Sequence, residues 1–384
     1  MKRNSFVFLI LFFVISGLMA QEIPTQNLKE VIVSDSRIQN YAEGYKVTVL
    51  KDSTIKRSGL FLTSLLAQNS NIYFRENGFG GVSSPSFRGT NASHTAVLWN
   101  GININSQLNG QVDFNTINPL NYSSVAIRSG GGSVQFGTGA IGGSVHLNND
   151  LKFQEHFEHQ ILTGYGSFDI RSLNYNSSYA DGKWSINFGL NYNSSDNDYL
   201  FLETNERNTN GEFEHLNLNL NSGYILNANN ALRLYHQSFI GDRNLSGTLV
   251  APGRSRYQDN QHRTQLEWAN FGEKVTGKLK LAHLYEDFKF FENTNATNFS
   301  EGAVTTLLAR YSLDIKLNKA LALNSYVAYN HFSGEGTNFG NPARDDASLT
   351  AVLKHTLTEK FKYTISLRQD ISCLLYTSPS PRDS

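Results

Sequence analysis

The second half of the chain alternates apolar and polar residues with a period of two. In the run 183–193 the apolar positions are Trp184, Ile186, Phe188, Leu190 and Tyr192, with polar residues or glycine between them. The runs 216–221 and 361–368 alternate in the same way. Strict alternation predicts β-strands with one apolar and one polar face. Runs of about ten such residues, separated by turns, are the sequence signature of a transmembrane β-barrel.

The alternation predicts about eleven strands, at 157–167, 170–180, 183–194, 212–225, 230–240, 259–271, 275–288, 304–318, 321–332, 346–357 and 361–372. Short connections alternate with longer ones near 195–211, 241–258, 289–303 and 333–345, as on the two sides of a membrane barrel. A soluble β-sandwich, the alternative, needs neither this alternation nor strands longer than about 5–6 residues. Since a closed antiparallel barrel needs an even number of strands, the odd count indicates an incomplete barrel over 155–372.

The first half of the chain has a different pattern. Of the 31 glycines, 13 lie between residues 78 and 143, which predicts tight turns and close backbone approaches. Short strands are expected at 47–50, 71–75, 95–99, 102–104 and 125–128, and short helices at 52–55 and 60–66. Asn100-Gly101 predicts a two-residue hairpin turn. The predicted fold class is mainly β: an α+β domain over 36–150, followed by the strands of an incomplete transmembrane antiparallel β-barrel.

One motif in this domain imitates a nucleotide-binding site. Residues Gly137 to Gly142 fit the spacing of the dinucleotide fingerprint letter by letter. That fingerprint requires a helix to open at the glycines, so that the helix N-terminus meets the pyrophosphate. Here the strand-like run 144–147 follows. We therefore expect tight turns between strands and no nucleotide.

Composition narrows the functional class. The formal net charge is 0, which disfavours a nucleic-acid partner because such proteins need a basic surface. Charged residues are 17% and aromatic residues 12%, which suits a surface that meets lipid. The single cysteine, Cys373, rules out an intrachain disulfide framework. No nucleophile and base or acid and base pair stands out, so we predict no enzymatic activity.

The two ends of the chain look like processing or fusion segments. Residues 1–20 have a basic start, an apolar centre and a small-residue exit, as in a secretory signal peptide. Residues 21–35 form a polar leader that contains a short β-prone run: Leu28, Lys29, Glu30, Val31, Ile32, Val33 and Ser34. This run is either a peptide that adds a strand to a partner's sheet or the first strand of the next domain. Residues 373–384 break the alternation and are interpreted as an adapter-like tail on a truncated gene fragment.

The run from Arg88 to His94, the Asn-Gly turn after Trp99 and the glycine-rich run 136–145 resemble the plug domain of TonB-dependent outer-membrane receptors. Within that superfamily the cobalamin receptors are the most similar group. The resemblance implies a barrel of 22 strands, of which about half is present, and it makes 28–34 the energy-coupling peptide. Its implied partners are the TonB–ExbB–ExbD complex, outer-membrane lipid and a small-molecule ligand. Its structural plug residues map onto Arg88, Gly89, Asn100, Gly101, Gly137, Gly142 and Gly143.

Two plug loops, 76–85 and 106–111, are expected to touch the ligand in such a receptor. The candidates are Asn77, Phe79, Ser83, Ser84, Ser106, Gln107, Leu108, Asn109 and Gln111. The alternative is that both loops are merely polar. Arg75 and Arg88 are expected to pair with carboxylates of the barrel wall, since a buried carboxylate must be paired. The ligand hypothesis is cobalamin or another corrinoid, and the alternatives are a ferric siderophore, haem, a glycan, or a surface receptor that does not transport.

Metal chemistry is suggested only weakly. Asp196, Asp198 and Glu203 fall in the first long loop, near the acidic loops that hold calcium in cobalamin receptors. Calcium prefers several carboxylate oxygens, although acidic surface loops are common. Asp196 and Asp198 are the candidate calcium ligands, and no other cofactor is expected. His156 and His159 fall at the start of a strand and are interpreted as a solvated pair.

Overall fold

The computed structural model describes residues 38, 41, 44–76 and 78–374, with the backbone alone at 373 and 374. These residues form a five-stranded sheet, a two-stranded sheet and an eleven-stranded sheet. The signal peptide, the run 28–34, Asn77 and residues 375–384 lie outside the described residues. The fold is mainly β, with an α+β domain followed by eleven antiparallel strands, as the alternation predicts.

The N-terminal domain, called the plug below (residues 44–150), contains short strands and helices. Its elements are β1 (Val47–Lys51), α1 (Asp52–Ile55), α2 (Leu62–Asn69), β2 (Ile72–Glu76), β3 (Ser83–Phe87), β4 (Thr95–Trp99), β5 (Ile102–Asn103), β6 (Ser124–Ser129), α3 (Ser133–Phe136) and β7 (Gly143–Asn148). The five-stranded sheet has the order β1-β6-β7-β4-β5. Within it β4 and β7 are parallel, and the other pairs are antiparallel. β2 and β3 form a separate hairpin.

The apolar residues of these elements form the core of the plug. Leu62, Leu65 and Leu66 lie on one face of α2 and are buried, as the sequence predicts. They pack in one cluster with Trp99 of β4 and Val145 of β7. The cluster therefore packs α2 against the five-stranded sheet.

The large sheet, called the wall below, is a meander. Its strands are β8 (His156–Gly166), β9 (Ile170–Ala180), β10 (Trp184–Ser195), β11 (Phe213–Asn227), β12 (Asn230–Asn244), β13 (Arg256–Phe271), β14 (Val275–Phe291), β15 (Ser300–Lys316), β16 (Leu321–Gly336), β17 (Ala343–Thr356) and β18 (Lys362–Leu374). Each strand pairs with its sequence neighbours, in the order β18 to β8. The eleven predicted strands are confirmed. Several extend further than predicted, and β12 for example continues to Asn244 instead of residue 240.

The wall is apolar on its exposed face and polar on its buried face, which is the reverse of a sheet in a soluble protein. One face presents exposed apolar side chains, among them Ile161 (65% exposed) and Leu307 (48%). The other face is buried under the plug and carries polar side chains such as Asn191, His215 and Gln265, each 0% exposed. Large exposed apolar surfaces mark contact with another apolar phase, and an outward apolar face with a polar interior is the arrangement of a membrane barrel. No helix of residues 44–76 and 78–374 is long and apolar enough to cross a membrane.

Candidate functional site

An arginine of the wall forms a buried ion pair with the plug. The Arg243 guanidinium on β12 lies 2.6 Å from the Asp113 carboxylate of the plug and 3.2 Å from Asp259 on β13. Asp113 also accepts the backbone N–H groups of Ser83 (2.9 Å) and Asn115 (3.0 Å). Arg243 is 2% exposed, so its charge is almost wholly removed from water. Asp113 thereby ties together the two parts of the plug that carry its candidate ligand loops, and Arg243 of the wall neutralises its charge.

This ion pair corrects the prediction about Arg75 and Arg88. Both arginines are exposed, and neither forms an ion pair with any part of the chain that the structure describes. The charges are distributed in the opposite way from the prediction: the wall supplies the arginine and the plug supplies the carboxylate. Arg88 and Gly89 instead have φ of 49° and 81°, and the Thr90 N–H donates to the Phe87 carbonyl (2.9 Å). They form the turn after β3, in which glycine tolerates the positive φ.

Aromatic side chains join the plug to the wall beside this ion pair. The Phe61 ring lies 5.8 Å from that of Phe213 and 5.7 Å from that of His215, centroid to centroid. Phe79 lies 6.0 Å from Phe213. Edge and tilted contacts at these separations stabilise packing beyond the area they bury. The Asn197 side chain adds a polar contact, since its amide donates to the Phe79 carbonyl (2.9 Å) and the Gly211 carbonyl (3.1 Å).

Tyr122 carries a third buried contact on the same side. Its hydroxyl donates to the Gln237 side-chain oxygen of β12 at 3.0 Å. Burial raises the pKa of Tyr122 to about 12, because the phenolate would lose its hydration, while the positive charge of Arg263 partly offsets this effect. The neutral phenol is therefore the form that the contact between plug and wall requires.

The Asn100-Gly101 turn is held by two wall cations. Asn100 and Gly101 have φ of 46° and 83°, both positive as a two-residue hairpin turn between β4 and β5 requires. The Lys280 ammonium donates to the Asn100 carbonyl, and the Arg310 guanidinium donates to the Gly101 carbonyl at 2.8 Å. Beneath the turn, Ile102 packs on Ala282 and Leu308 of the wall. The predicted turn is thus also a docking point for the plug.

The loop 106–111 bridges two wall strands that are not adjacent. The Glu286 carboxylate of β14 accepts the Ser106 hydroxyl (3.0 Å) and the Gln107 N–H (2.8 Å). The Arg344 guanidinium of β17 donates to the Gln107 side-chain oxygen at 3.0 Å. The root of the loop is fixed by Asn105, whose amide donates to the Thr95 and Gly110 carbonyls. The tip of the loop therefore rests on wall side chains that face the interior.

A cleft of about 610 Å³ lies between this loop, residues 136–139 of the plug and strands β13–β18. Four guanidinium groups line it: those of Arg263, Arg310, Arg344 and Arg368. Arg344 lies 3.1 Å from the Asp346 carboxylate, and Arg368 lies 2.7 Å from that of Asp370. Guanidinium groups bind carboxylate and phosphate oxygens with two parallel hydrogen bonds. The volume lies within the range of small-molecule sites, about 300–1,000 Å³.

The candidate ligand residues divide between the cleft and the packed interface. Ser106 and Gln107 line the cleft, and Leu108, Asn109 and Gln111 follow in the same loop. Phe79 is partly exposed but packs on Phe213. Ser84 is half-buried, and its hydroxyl lies 3.5 Å from the Gln111 side-chain oxygen. Ser83 is 0% exposed, and its hydroxyl accepts from Thr63, so in this conformation it supports the loop and offers no surface to a ligand.

The acidic loop at 196–212 is organised differently from a calcium site. The Asp198 carboxylate is paired with the Arg207 guanidinium at 2.9 Å, while Asp196 is exposed. Residues 44–76 and 78–374 contain no cluster of three His, Cys, Asp or Glu side chains placed to hold a metal. Asp196 and Asp198 thus belong to no such cluster, and Asp198 is neutralised by an arginine instead.

The glycine-rich run 137–143 forms turns and close contacts, as predicted. Gly137 has a φ of 87°, and β7 begins at Gly143 where a nucleotide site would need a helix. A Cβ added at Gly142 would lie 2.5 Å from the Thr90 hydroxyl, and one at Gly143 would lie 2.8 Å from the Arg128 carbonyl oxygen. These glycines let three segments of the plug backbone meet.

The wall residues of this site were not among the residues predicted from the sequence. Glu286 lies at an inward position of a predicted strand, whereas Arg243 and Arg344 lie beyond the predicted strand ends, in runs that the sequence assigns to long connections. The signal that could have found Glu286 is a charged residue at a polar-face position of a predicted strand. Their partners on the plug could not be found in this way, since those contacts depend on how the plug is seated.

Comparisons with known proteins agree with this architecture. Residues 40–144 match the family model of the TonB-dependent Receptor Plug Domain. The Vitamin B12 transporter BtuB of Vibrio vulnificus (strain YJ016) is 28% identical over 168 residues, which are 43% of this chain and 27% of that protein. The FrpB iron transporter from Neisseria meningitidis (F3-3 variant) has a TM-score of 0.71 at 15% identity, covering 85% of this chain and 59% of its own. The Copper transporter OprC has a TM-score of 0.70 at 15% identity, covering 84% and 54%.

The chain spans little more than half the length of these two solved structures and about a quarter of the curated relative. At such low identity the two structures establish a shared fold and nothing about the ligand. The names of these three proteins specify a vitamin, iron and copper as their cargo.

Proposed function

We propose that this chain, which has the plug and barrel strands of a TonB-dependent receptor, belongs to an active transporter of the Gram-negative outer membrane. The transporter binds a scarce ligand at the cell surface and imports it to the periplasm with energy delivered by TonB. ExbB and ExbD are the expected partners of TonB. Export of the chain through the Sec pathway, directed by residues 1–20, belongs to the same proposal.

The observation that carries the proposal is the seating of the plug on the polar face of a sheet whose opposite face is apolar and exposed. A passive porin needs no such plug. An outer membrane has neither ATP nor a maintained ion gradient, so a plugged receptor needs work from another membrane. The run 28–34 is the proposed coupling peptide, which would add a strand to a sheet of TonB. For ligand to trigger this, its affinity must differ between two states of the plug.

Cobalamin or another corrinoid is the first ligand proposed. The run from Arg88 to His94 resembles cobalamin receptors, and the curated relative is a vitamin B12 transporter. The loop 106–111 and the cleft behind it are the proposed contact surface, with Ser106, Gln107, Leu108, Asn109 and Gln111. Asn77, Phe79 and Ser84 are proposed to contribute from the other loop. Calcium binding at Asp196 and Asp198 enters only through the binding test, in which each ligand is compared with and without calcium.

A ferric siderophore or haem is the second candidate ligand, and the cleft favours it over a glycan. Four guanidinium groups in one cleft match a ligand that carries carboxylate or other oxyanion groups. The lining carries three carboxylates as well, those of Glu286, Asp346 and Asp370, so an excess of positive charge remains that an anionic ligand would use and a neutral glycan would not. The two candidates differ in charge, so one binding experiment separates them.

The test is equilibrium binding to the protein expressed from its complete gene and folded in outer-membrane vesicles. Cyanocobalamin, a ferric polycarboxylate siderophore and haem are compared, each with and without calcium. Saturable submicromolar binding of cyanocobalamin would support the first ligand. Saturable binding of the anionic chelates alone would replace it with the second. A folded barrel that binds none of the three would contradict both assignments.

Coupling is tested by deleting residues 28–34. We expect uptake of the bound ligand to fall to the level of a strain without TonB, while equilibrium binding stays within about twofold of the parent. Loss of binding together with uptake would contradict the coupling role. Uptake that is unaffected by removal of TonB would favour a different transport mechanism, and binding without any uptake in the parent would favour a surface receptor.

A further inference from the structure

A polar area interrupts the outward, apolar face of the wall at β12, β13 and β14. Outward residues of these strands pair across the sheet in rows. One row, called the leucine row below, consists of three exposed leucines: Leu234, Leu266 and Leu281. The next two rows, towards the long connections, are polar. They contain five residues, called the polar patch below: His236, Ser238, His262, Thr264 and His283.

Leucines flank the polar patch on both sides. On one side His236 is paired with Leu220 of β11. On the other side His283 is paired with Leu307 of β15, which is 48% exposed. Since neighbouring strands lie about 4.8 Å apart, a patch of three strands is about 15 Å wide. The polar patch is thus a local feature of a face that otherwise suits acyl chains.

Hydrogen bonds link four side chains of the polar patch into a chain. His236 Nδ1 lies 2.9 Å from the Thr264 hydroxyl, and its Nε2 lies 2.9 Å from the Ser238 hydroxyl. The Ser238 hydroxyl also lies 2.9 Å from His262 Nδ1. Because each nitrogen of a neutral imidazole is either a donor or an acceptor, His262 Nε2 can make one further hydrogen bond. Among the residues that the structure describes, neither this nitrogen nor the exposed His283 imidazole has a hydrogen-bond partner.

The surroundings of the polar patch favour an amphipathic occupant. Acyl chains cannot satisfy imidazole nitrogens, and an unpaired polar group in hydrocarbon is costly. Above the polar patch, the Asn260 amide donates to the Asp287 carboxylate at 2.9 Å, so the polar surface continues towards the long, extracellular connections. Below it lies the leucine row. A molecule with a polar headgroup above and acyl chains below matches this order.

The charges near the polar patch favour sugar hydroxyls over phosphate. On the outward face of β12–β14, the cations Arg256 and Lys289 are balanced by Asp242 and Asp287, so no excess of positive charge is present. Hydroxyl and imidazole groups both donate and accept hydrogen bonds, as sugar hydroxyls require. The ring of Tyr285, stacked on that of His262 at 6.2 Å, adds an aromatic surface beside them.

We infer that the polar patch binds the saccharide headgroup of an outer-leaflet glycolipid, whose acyl chains then lie on the leucine row. This inference rests on the proposed location in the outer membrane and adds a lipid partner that import itself does not require. A second copy of the chain is the competing occupant. Such a copy would not need the polar surface to continue towards the extracellular connections.

Binding is measured by native mass spectrometry on the protein expressed from its complete gene and freed of lipid in detergent. The probes are lipopolysaccharide with a short saccharide core, the same glycolipid after removal of its phosphates, and phosphatidic acid, which has a phosphate and no sugar. We expect the two glycolipids to bind with Kd values within about threefold of each other. Phosphatidic acid should bind at least tenfold more weakly.

The test variant replaces the three imidazoles of the polar patch: His236→Leu, His262→Leu and His283→Leu together. We expect its glycolipid affinity to fall at least tenfold. The matched control is His331→Leu, which removes an imidazole that pairs with Asp345 on the outward face of β16, outside the polar patch. Its affinity should stay within about twofold of the parent. If the triple variant does not fold, His262→Leu alone carries the test, with an expected fall of at least threefold.

A second measurement separates a binding role from a structural one. In vesicles of phospholipid alone, the triple variant should resist urea at least as well as the parent, because leucine suits acyl chains. Added glycolipid should raise the urea midpoint of the parent and leave that of the triple variant unchanged. A purely structural network would instead make the triple variant less stable in both kinds of vesicle.

Three results would overturn the inference. The first is equal glycolipid binding by the parent and the triple variant, and the second is binding that is lost when the phosphates are removed. The third is a dimer of the lipid-free parent that dissociates in the triple variant, which would assign the polar patch to a second copy. Neither measurement involves cobalamin, TonB or uptake, so failure of the proposed import function is distinguishable from failure of this inference.

Discussion

Arg243 lies between two carboxylates that belong to different parts of the chain. We expect Arg243→Leu to destabilise the seating of the plug by about 3–5 kcal/mol, because Asp113 and Asp259 would remain buried without a cation. The measurement is urea unfolding followed by the fluorescence of Trp99, which is 1% exposed inside the plug, with Trp184 and Trp268 replaced by Phe.

The matched control is Arg171→Leu. Arg171 pairs with Asp169 at an exposed hairpin, and its side chain is 64% exposed. Such surface pairs contribute about 0–1 kcal/mol, so the unfolding midpoint should barely move. Equal shifts in the two variants would mean that Arg243 does not hold the plug.

Tyr122 makes the contact between plug and wall weaken at strongly alkaline pH. Its phenol ionises near 10.0 in the unfolded chain and near 12 in the folded one, so the folded state holds the proton more tightly. This contribution is fully present below pH 10 and is lost as the pH rises through 12. The difference in unfolding free energy between the native chain and Tyr122→Phe should therefore be constant up to pH 10 and change above it. A difference that stays constant from pH 8 to pH 12 would contradict the buried contact with Gln237.

At the scale of elements, the parallel pair β4–β7 depends on the absence of a side chain at the start of β7. We expect Gly143→Ala to destabilise the plug by about 1–3 kcal/mol, because the new methyl group would lie 2.8 Å from the Arg128 carbonyl oxygen and 2.9 Å from the Phe87 ring. Gly131→Ala is the control, since its nearest neighbour would be 3.8 Å away. Thermal unfolding of both variants, followed by Trp99 fluorescence, measures the difference. Equal midpoints would contradict a close approach at Gly143.

Most of the strands could be predicted from the sequence, and the exceptions have physical reasons. The barrel strands were found because one face of each is apolar and the other polar, which leaves a period of two. The observed strands are longer than predicted at Asn244, where β12 ends, and at Ser300, where β15 begins. There the hydrogen-bonded pairing continues past the apolar face, so the period of two is lost. β3 was not predicted because its sequence is Ser-Ser-Pro-Ser-Phe. Pro85 is tolerated there because, among the residues that the structure describes, β3 pairs only with β2, so one edge needs no donor.

At the scale of the whole molecule, the exposed apolar face should behave as a surface immersed in lipid. Leu307 lies near the middle of β15 and is 48% exposed. In a bilayer we expect Leu307→Arg to cost about 2–4 kcal/mol, whereas an exposed site of a soluble protein would change by about 0.5 kcal/mol or less. Folding into lipid vesicles, titrated with urea, measures this cost.

The control for this prediction is Glu359→Arg, in the exposed turn between β17 and β18. It should leave the urea midpoint unchanged. A Leu307→Arg midpoint equal to that of the control would exclude lipid as the surroundings of this face.

The contacts between the plug and the wall could not be predicted from the sequence, although the plug and the wall strands themselves could. Alternation along a strand gives its faces, and turn residues give hairpins, because both signals are local. The contact of Gln107 with Arg344 joins residues 237 positions apart, and no local pattern encodes such a pairing. The same limit explains the reversed polarity at Asp113 and Arg243, since a sequence shows that charges are present but not which will be opposed.

The meander of the wall has a consequence for the order in which the molecule forms. Every wall strand pairs with its neighbours in the chain, so each hairpin closes a short loop and can form as soon as its two strands are available. The plug contacts of Lys280 and Arg310 close loops of 180 and 209 residues and must come later. The plug is synthesised first, and its contacts with the wall form last. During that interval Phe61 and Asp113 lack the wall partners that cover them, so exposure to aggregation is greatest while the wall is still being assembled.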